Sequence, residues 1–157
     1  MIEPYETVFR NALQEFSNLG FSLVRDSEYG ATFSNGTYSI EVSLDRYYHP
    51  GLAMAIRDPA GKVFEVGLVQ QILDPVNFTA EMTALKAIRE RFGLDQTGAT
   101  KEVRLQGLVE YLQVTLAQIL RFFAAYKERV FCSPNEYEAT YAARDDARVS
   151  QVLRRKT

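Results

Sequence analysis

The only histidine of the chain, His49, lies in the run Asp45-Arg46-Tyr47-Tyr48-His49-Pro50. Histidine titrates near neutral pH and often serves as a general base. Here no cysteine nucleophile lies nearby in the sequence, and the chain has no glycine-flanked serine elbow. One histidine also leaves a transition-metal site dependent on carboxylates. We therefore predict no catalytic residue, no metal site and no cofactor.

The same run has the composition of a binding loop at the end of a strand. Tyrosine and arginine dominate interface hot spots, and an exposed loop held by a rigid strand is a common binding geometry. The alternative is local, with Asp45 pairing with Arg46 or a neighbouring strand and the tyrosines covering the sheet edge. We predict binding residues at Asp45, Arg46, Tyr47, Tyr48 and His49.

Two other sequence patterns bear on possible chemistry. Glu41 and Glu65 belong to predicted strands, but their relative register is not readable from sequence, and acid–base work needs positioned carboxylates. Glycine patterns of the nucleotide-binding kind are missing. For Glu41 and Glu65 the simpler interpretation is two solvated charges on strands.

The C-terminus is rich in cations, and such a segment is able to contact phosphate. No aromatic residue follows Tyr141 for stacking on bases. A solvated helix end, with its cations near the negative pole of the helix dipole, is the simpler interpretation. The cations are Arg144, Arg148, Arg154, Arg155 and Lys156, against Asp145 and Asp146.

Composition narrows the class of protein. The 157 residues fit one domain, and the formal net charge of −2 does not favour nucleic acid or an anionic membrane as partner. Cys132 is the only cysteine, which excludes an intrachain disulfide and fits a reducing cytoplasm. The first residues lack the features of a secretory signal, and no run of about 20 apolar residues is present. We predict a cytoplasmic protein with no membrane partner.

The elements that must position the loop follow from periodicity. Apolar residues at three- and four-residue spacing predict a helix over 4–19, with Gly20 just past its end. The period then changes to two. Phe21, Leu23 and Arg25 are expected on one face of a first strand.

Four more strands are predicted by alternation and turn residues. Asn35-Gly36 indicates a hairpin in which both turn positions need positive φ, and Asp58-Pro59-Ala60-Gly61 indicates a second turn. Short strands joined by tight turns predict an antiparallel meander. The four strands are expected at 31–34, 38–45, 52–57 and 62–66.

The rest of the chain predicts helices. A short helix at 68–73 stops before Pro75, and Thr79 is expected to cap a second helix that Gly93 closes. A long helix is predicted over 101–131. Its Val114, Phe122 and Ala125 lie off the main apolar stripe, so it needs cover either from the rest of the chain or from a partner.

We therefore predict an α+β fold: an N-terminal helix, a four- to five-stranded antiparallel meander sheet, then C-terminal helices including one long helix packed on the sheet. Residues 1–135 are expected to form the domain. Residues 136–157 are expected to form either a C-terminal helix or a mobile tail.

One resemblance covers roughly the first 70 residues. After the first helix come Gly20-Phe21, then Tyr29-Gly30 and Phe33-Ser34-Asn35, then an alternating strand ending in Asp45-Arg46. This order resembles small uncharacterised bacterial proteins, some of which are similar to immunity proteins of polymorphic toxin systems. The resemblance implies a stoichiometric binder and assigns no functional residue.

These features predict a cytoplasmic protein-interaction module of the immunity or inhibitor kind, which binds and occludes a partner protein or associates with itself through the long helix. One alternative is a small enzyme with a site between sheet and helices that uses Asp45, Arg46, Tyr47 and His49. Another is a nucleic-acid accessory protein that uses residues 144–156.

Overall fold

The computed structural model describes residues 3–45, 51–94, 100–131 and 137–144. Helix α1 (Tyr5–Asn18) is followed by strands β1 (Ser22–Ser27), β2 (Gly30–Ser34), β3 (Ser39–Asp45), β4 (Gly51–Arg57) and β5 (Val63–Glu65). Helices α2 (Val66–Leu73), α3 (Pro75–Phe92), α4 (Lys101–Ala125) and α5 (Lys127–Phe131) come next. A further helix, α6, spans 137–144.

The five strands form one antiparallel sheet in the order β1-β2-β3-β4-β5, which confirms the predicted meander and the α+β class. Alternation decides which face is buried. Phe33, Ile40 and Ile56 point toward the helices and are buried, whereas Glu41 and Ser43 of the same sheet face solvent. The described helices therefore cover one face of the sheet.

Helix α1 covers the β2 end of this face. The apolar stripe of α1 packs on the sheet. Phe16 stacks on Phe33 with ring centroids 4.0 Å apart, and the Phe9 ring lies 6.5 Å from the Phe33 ring. Gly20, just past the helix, has φ +89°, a conformation that glycine adopts without strain. The chain then turns so that Phe21 is buried against Phe131.

Strand β1 differs from its prediction. Leu23 pairs with Phe33 and Arg25 pairs with Thr32, with a register shift between them at Val24. Residues opposite each other share a face and Thr32 and Phe33 alternate, so Leu23 and Arg25 lie on opposite faces. The expectation that Phe21, Leu23 and Arg25 share one face is wrong because a bulge adds one residue to the edge strand.

The Asn35-Gly36 hairpin is confirmed, but its turn is not the expected type. Gly36 has φ +91°, whereas Asn35 has no positive φ. The loop runs from Asn35 to Tyr38, and the Asn35 Oδ1 accepts hydrogen bonds from the backbone N–H groups of Thr37 and Tyr38 at 2.9 and 2.7 Å. The Asn35 side chain thus stabilises the turn without a left-handed backbone at Asn35.

Two of the predicted helices have different bounds in the structure. Helix α3 starts at Pro75, and the Thr79 hydroxyl donates to the Pro75 carbonyl within the helix, so Thr79 is not its cap. Gly93 closes α3 with φ +59°, as expected. The predicted helix over 101–131 is two helices, because the chain leaves helical geometry at Tyr126.

The described chain covers part of α4, and a partner for the rest stays a prediction. Phe122 is fully buried and Val114 is half-buried, although Ala125 and Leu105 are exposed. By length and composition α4 is also the one described helix that could cross a bilayer, but core helices of soluble proteins pass the same test. The expectation of no membrane partner stays a prediction.

Candidate functional site

The predicted binding loop joins β3 to β4. Asp45 ends β3, where it pairs in register with Gly51 at the start of β4. Arg46, Tyr47, Tyr48 and His49 lie outside the described residues, so a binding role for the loop stays a prediction. The residue after Gly51, Leu52, lines the cleft described next.

A cleft of about 320 Å³ opens between β4 and helices α2, α3 and α4. We call it the helix-junction cleft. It exists because β5 has three residues and pairs with Ala55–Arg57, so in the described part of the chain β4 from Gly51 to Met54 pairs with β3 on one side and with no strand on the other. After Glu65 the chain enters α2, so the edge of β4 that β5 does not pair with forms one wall of the cleft.

The walls of the helix-junction cleft are mainly apolar, which is typical of sites that receive a ligand or a side chain. Met82 is 44% exposed, so a large apolar side chain meets solvent at the cleft. The apolar lining comes from all four elements and includes Leu52, Met54, Phe78, Met82, Leu85 and Ile119.

Polar side chains of the same cleft are held by hydrogen bonds to neighbouring groups. The Gln70 Nε2 donates to Glu81 Oε2 at 2.6 Å, and the Gln118 Nε2 donates to the Glu81 carbonyl oxygen at 3.3 Å. The Thr115 hydroxyl donates to the Tyr111 carbonyl oxygen at 2.7 Å. These bonds tie α2, α3 and α4 together around the cleft.

Arg121 of α4 holds the α2–α3 junction through two hydrogen bonds. Its Nε donates to Glu81 Oε1 at 2.7 Å and its Nη2 donates to Asp74 Oδ2 at 3.1 Å. Asp74 is buried at the α2–α3 junction and also accepts from Asn77 Nδ2 at 3.0 Å. We call Asp74, Glu81 and Arg121 the Arg121 network.

The charge of the Arg121 network is set by its geometry. Burial lowers the pKa of Arg121, but the hydrogen bonds that Arg121 donates to Glu81 and Asp74 outweigh it and raise that pKa above its ordinary value. Burial and a hydrogen bond to Asp74 likewise raise the pKa of Tyr126. The two carboxyl groups therefore share one guanidinium that stays charged.

Sequence reasoning missed this site. One signal was available, because Gln70 and Gln71 interrupt the otherwise apolar run Val66–Leu73. The structure then shows Gln70 to be 5% exposed. A buried polar side chain requires a hydrogen-bonding partner, and its partner here is Glu81. Nothing local in the sequence joins Asp74 and Glu81 to Arg121.

The other sequence candidates are not brought together. Glu41 and Glu65 both align with Ala55, so β4 stands between their strands and they are not on neighbouring strands. Glu41 instead binds Arg57, with Nε to Oε1 at 2.7 Å. Arg144 is exposed, and residues 145–157 lie outside the described part of the chain. Among described residues, no three His, Cys, Asp or Glu side chains form a metal-ligand group.

The chain was compared with protein-family models, with curated proteins and with solved structures, and none of the three comparisons found a match. The resemblance to immunity proteins therefore stays a prediction.

Proposed function

We propose that the chain is a non-catalytic protein-binding module of the immunity or inhibitor kind, which acts in the cytoplasm. Its helix-junction cleft takes a side chain from a partner protein, and the loop at 46–49, which ends three positions before Leu52 in the sequence, extends the contact.

The observation that carries this proposal is the helix-junction cleft itself. Its volume is about 320 Å³, at the lower end of the range for small-molecule sites, and suits one inserted side chain. Met82 is exposed at the cleft, and such an apolar group gains most when a partner covers it. Anchor residues that fill a partner's pocket are the usual hot spots of protein interfaces.

A matched pair of variants on α3 tests the proposal. Met82→Glu places a charge at the cleft, whereas Val76→Glu places the same charge at a residue that is 80% exposed and does not line the cleft. Affinity-tagged wild type and both variants are expressed in the native host and their bound proteins are quantified.

We expect wild type and Val76→Glu to retain one stoichiometric protein that Met82→Glu loses. The purified pair should then form a 1:1 complex in which the partner's activity is inhibited. Identical sets of bound proteins for all three forms would refute the role of the cleft.

A further inference from the structure

Arg89 of α3 borders one end of the helix-junction cleft. Phe78, Met82 and Leu85 line the cleft from α3, and Arg89 follows Leu85 by one helical turn, so it lies on the same face of the helix. The Arg89 guanidinium lies over the ring of Tyr111, which lines the cleft from α4, with Cζ 4.9 Å from the ring centroid. A ligand that fills the cleft toward Tyr111 therefore comes next to a fixed cation.

The Arg89 guanidinium has hydrogen-bond donors and no acceptor within the described ranges. Its Nε is the one buried side-chain nitrogen or oxygen of those residues that has no hydrogen-bond partner. Its Nη1 and Nη2 also have no partner there, but they are not enclosed, and the residue as a whole is half-buried. Buried donors without acceptors are rare in native proteins, so this group calls for a ligand that approaches Nη1 and Nη2.

The other charged side chains of α3 differ from Arg89, because each has an opposite charge from the chain itself. The dipole of α3 favours a cation in its last turn, which accounts for an arginine at this place, but attraction to a dipole gives the N–H groups no acceptor. The three ion pairs of α3 are Glu81–Arg121, Lys86–Glu90 and Arg91–Glu110, with N–O distances of 2.7, 3.9 and 3.3 Å.

A carboxylate is the ligand that complements Arg89 best. Its two oxygens match two N–H groups of a guanidinium in one plane. A phosphate dianion is less suitable, because Glu90 and Glu110 lie next to Arg89 and Tyr111 in the sequence. Glu81 of the cleft lining precedes Arg89 by eight residues, about 12 Å along the helix axis, which is beyond the screening length of about 8 Å at physiological salt.

We propose that Arg89 binds an aspartate or glutamate of the partner protein through Nη1 and Nη2, and that this acidic residue lies beside the apolar side chain that fills the helix-junction cleft. The proposal rests on the protein-binding function above and names the chemistry of the partner. The Tyr111 ring holds the guanidinium in place before the partner arrives, which lowers the entropic cost of the contact.

The test uses the intact protein labelled with ¹⁵N and follows, by NMR, the backbone amide of Tyr111 and the Arg89 Nε–H signal, which is assigned by its loss in Arg89→Met. The probes are N-acetyl-leucyl-glutamate methylamide, its glutamine counterpart, which has the same shape without the charge, and inorganic phosphate. We expect saturable shifts with the glutamate peptide and binding about threefold or more weaker for the glutamine peptide and for phosphate.

Arg89→Met, followed at the Tyr111 amide, should bind the two peptides equally, whereas Arg10→Met on the exposed side of α1 should keep the preference for glutamate. Equal binding of both peptides by wild type, or a preference that survives in Arg89→Met, would overturn the carboxylate assignment and leave the protein-binding function standing. Tighter binding of phosphate would overturn the commitment to a protein side chain. No shift with any probe also refutes the proposal, and the Met82→Glu comparison then decides the function separately.

Discussion

Arg121 is the side chain on which the helix junction depends most. It holds Asp74 and Glu81, whose side chains are 7% and 16% exposed, so these two carboxylates have little water to replace it. Removing one partner of a buried ion pair costs more than the pair contributes, because the remaining charge is left without compensation.

Arg121→Met should therefore destabilise the fold by about 2 kcal/mol, a figure below the usual 3–5 because Arg121 is itself 39% exposed. Urea unfolding followed by circular dichroism measures the change. Arg10→Met is the control, since Arg10 and Glu6 form an exposed pair one helical turn apart, and its cost should be below about 0.5 kcal/mol. Similar costs for both variants would contradict a structural role for the Arg121 network.

The Glu6–Arg10 and Asp74–Arg121 pairs differ in whether their contact can be predicted from the sequence. Glu6 and Arg10 are four residues apart on a predicted helix, so their contact is readable from spacing alone. Asp74 and Arg121 are 47 residues apart, and their contact exists only after three helices have packed. The Arg121 network and the cleft beside it were therefore beyond local reasoning.

At the scale of elements, the crossing of α3 and α4 depends on a missing side chain. Gly107 lies in α4, and a Cβ built there would stand 2.5 Å from Phe92 Cβ and 3.0 Å from Leu94 Cδ2. The Phe92 Cβ is fixed to the backbone of α3, so the two helices would have to separate. Position 107 therefore needs glycine so that α3 and α4 can approach closely, and not because of glycine's backbone freedom.

Gly107→Ala should destabilise the protein by about 1–2 kcal/mol, because overpacking outweighs the gain of about 1 kcal/mol that alanine gives within a helix. Gly67→Ala in α2 is the matched control. Its Cβ would meet only Glu65 Oε1 at 3.5 Å, an ordinary contact, so stability should rise by up to about 1 kcal/mol. Thermal or urea unfolding decides the sign, and stabilisation by both substitutions would contradict the described crossing.

Elements whose pattern is periodic were predicted well, and the misses have physical causes. The alternation of Tyr38 to Asp45 fixed β3 because one face of that strand is buried. The break between α4 and α5 at Tyr126 could not be predicted, because no glycine or proline lies there. The turn at Tyr126 brings the Phe131 ring within 5.1 Å of the Phe123 ring, a contact that a continuous helix would not allow between residues eight apart.

At the scale of the whole molecule, the end of the described chain closes the sheet. Tyr137 and Tyr141 of α6 both pack edge-on against Phe64 of β5, with centroids 5.3 and 5.1 Å away. The Tyr141 hydroxyl also accepts a hydrogen bond from the Glu65 backbone N–H at 2.9 Å. This covers one sheet edge, whereas the opposite edge, β1, is exposed along its length.

Division of the chain at residue 135 stays a prediction, but Tyr137 belongs to the same core as the sheet. It is fully buried, and its hydroxyl donates to the Val130 carbonyl at 3.0 Å. Such a group links the stability of the whole molecule to pH. Burial is the main cause that raises the pKa of Tyr137 above its ordinary value, and Tyr38, Asp58 and Glu138 add to it.

A raised tyrosine pKa means that the folded state holds the proton more tightly than the unfolded chain does. The stability associated with Tyr137 is therefore complete below the unfolded pKa of about 10 and is lost as pH rises above it. At pH 8, Tyr137→Phe should be about 1 kcal/mol less stable than wild type, since the Val130 carbonyl loses its donor.

Between pH 8 and pH 11 that difference should shrink by about 1 kcal/mol, because wild type alone must keep a buried hydroxyl from ionising. Urea unfolding of both proteins at the two pH values measures it. Phe64→Leu disturbs the same contact without adding or removing a titratable group, so its cost should not change with pH. A Tyr137→Phe difference that is equally independent of pH would mean that Tyr137 ionises as easily in the folded protein as in the unfolded chain, and that α6 does not close the core.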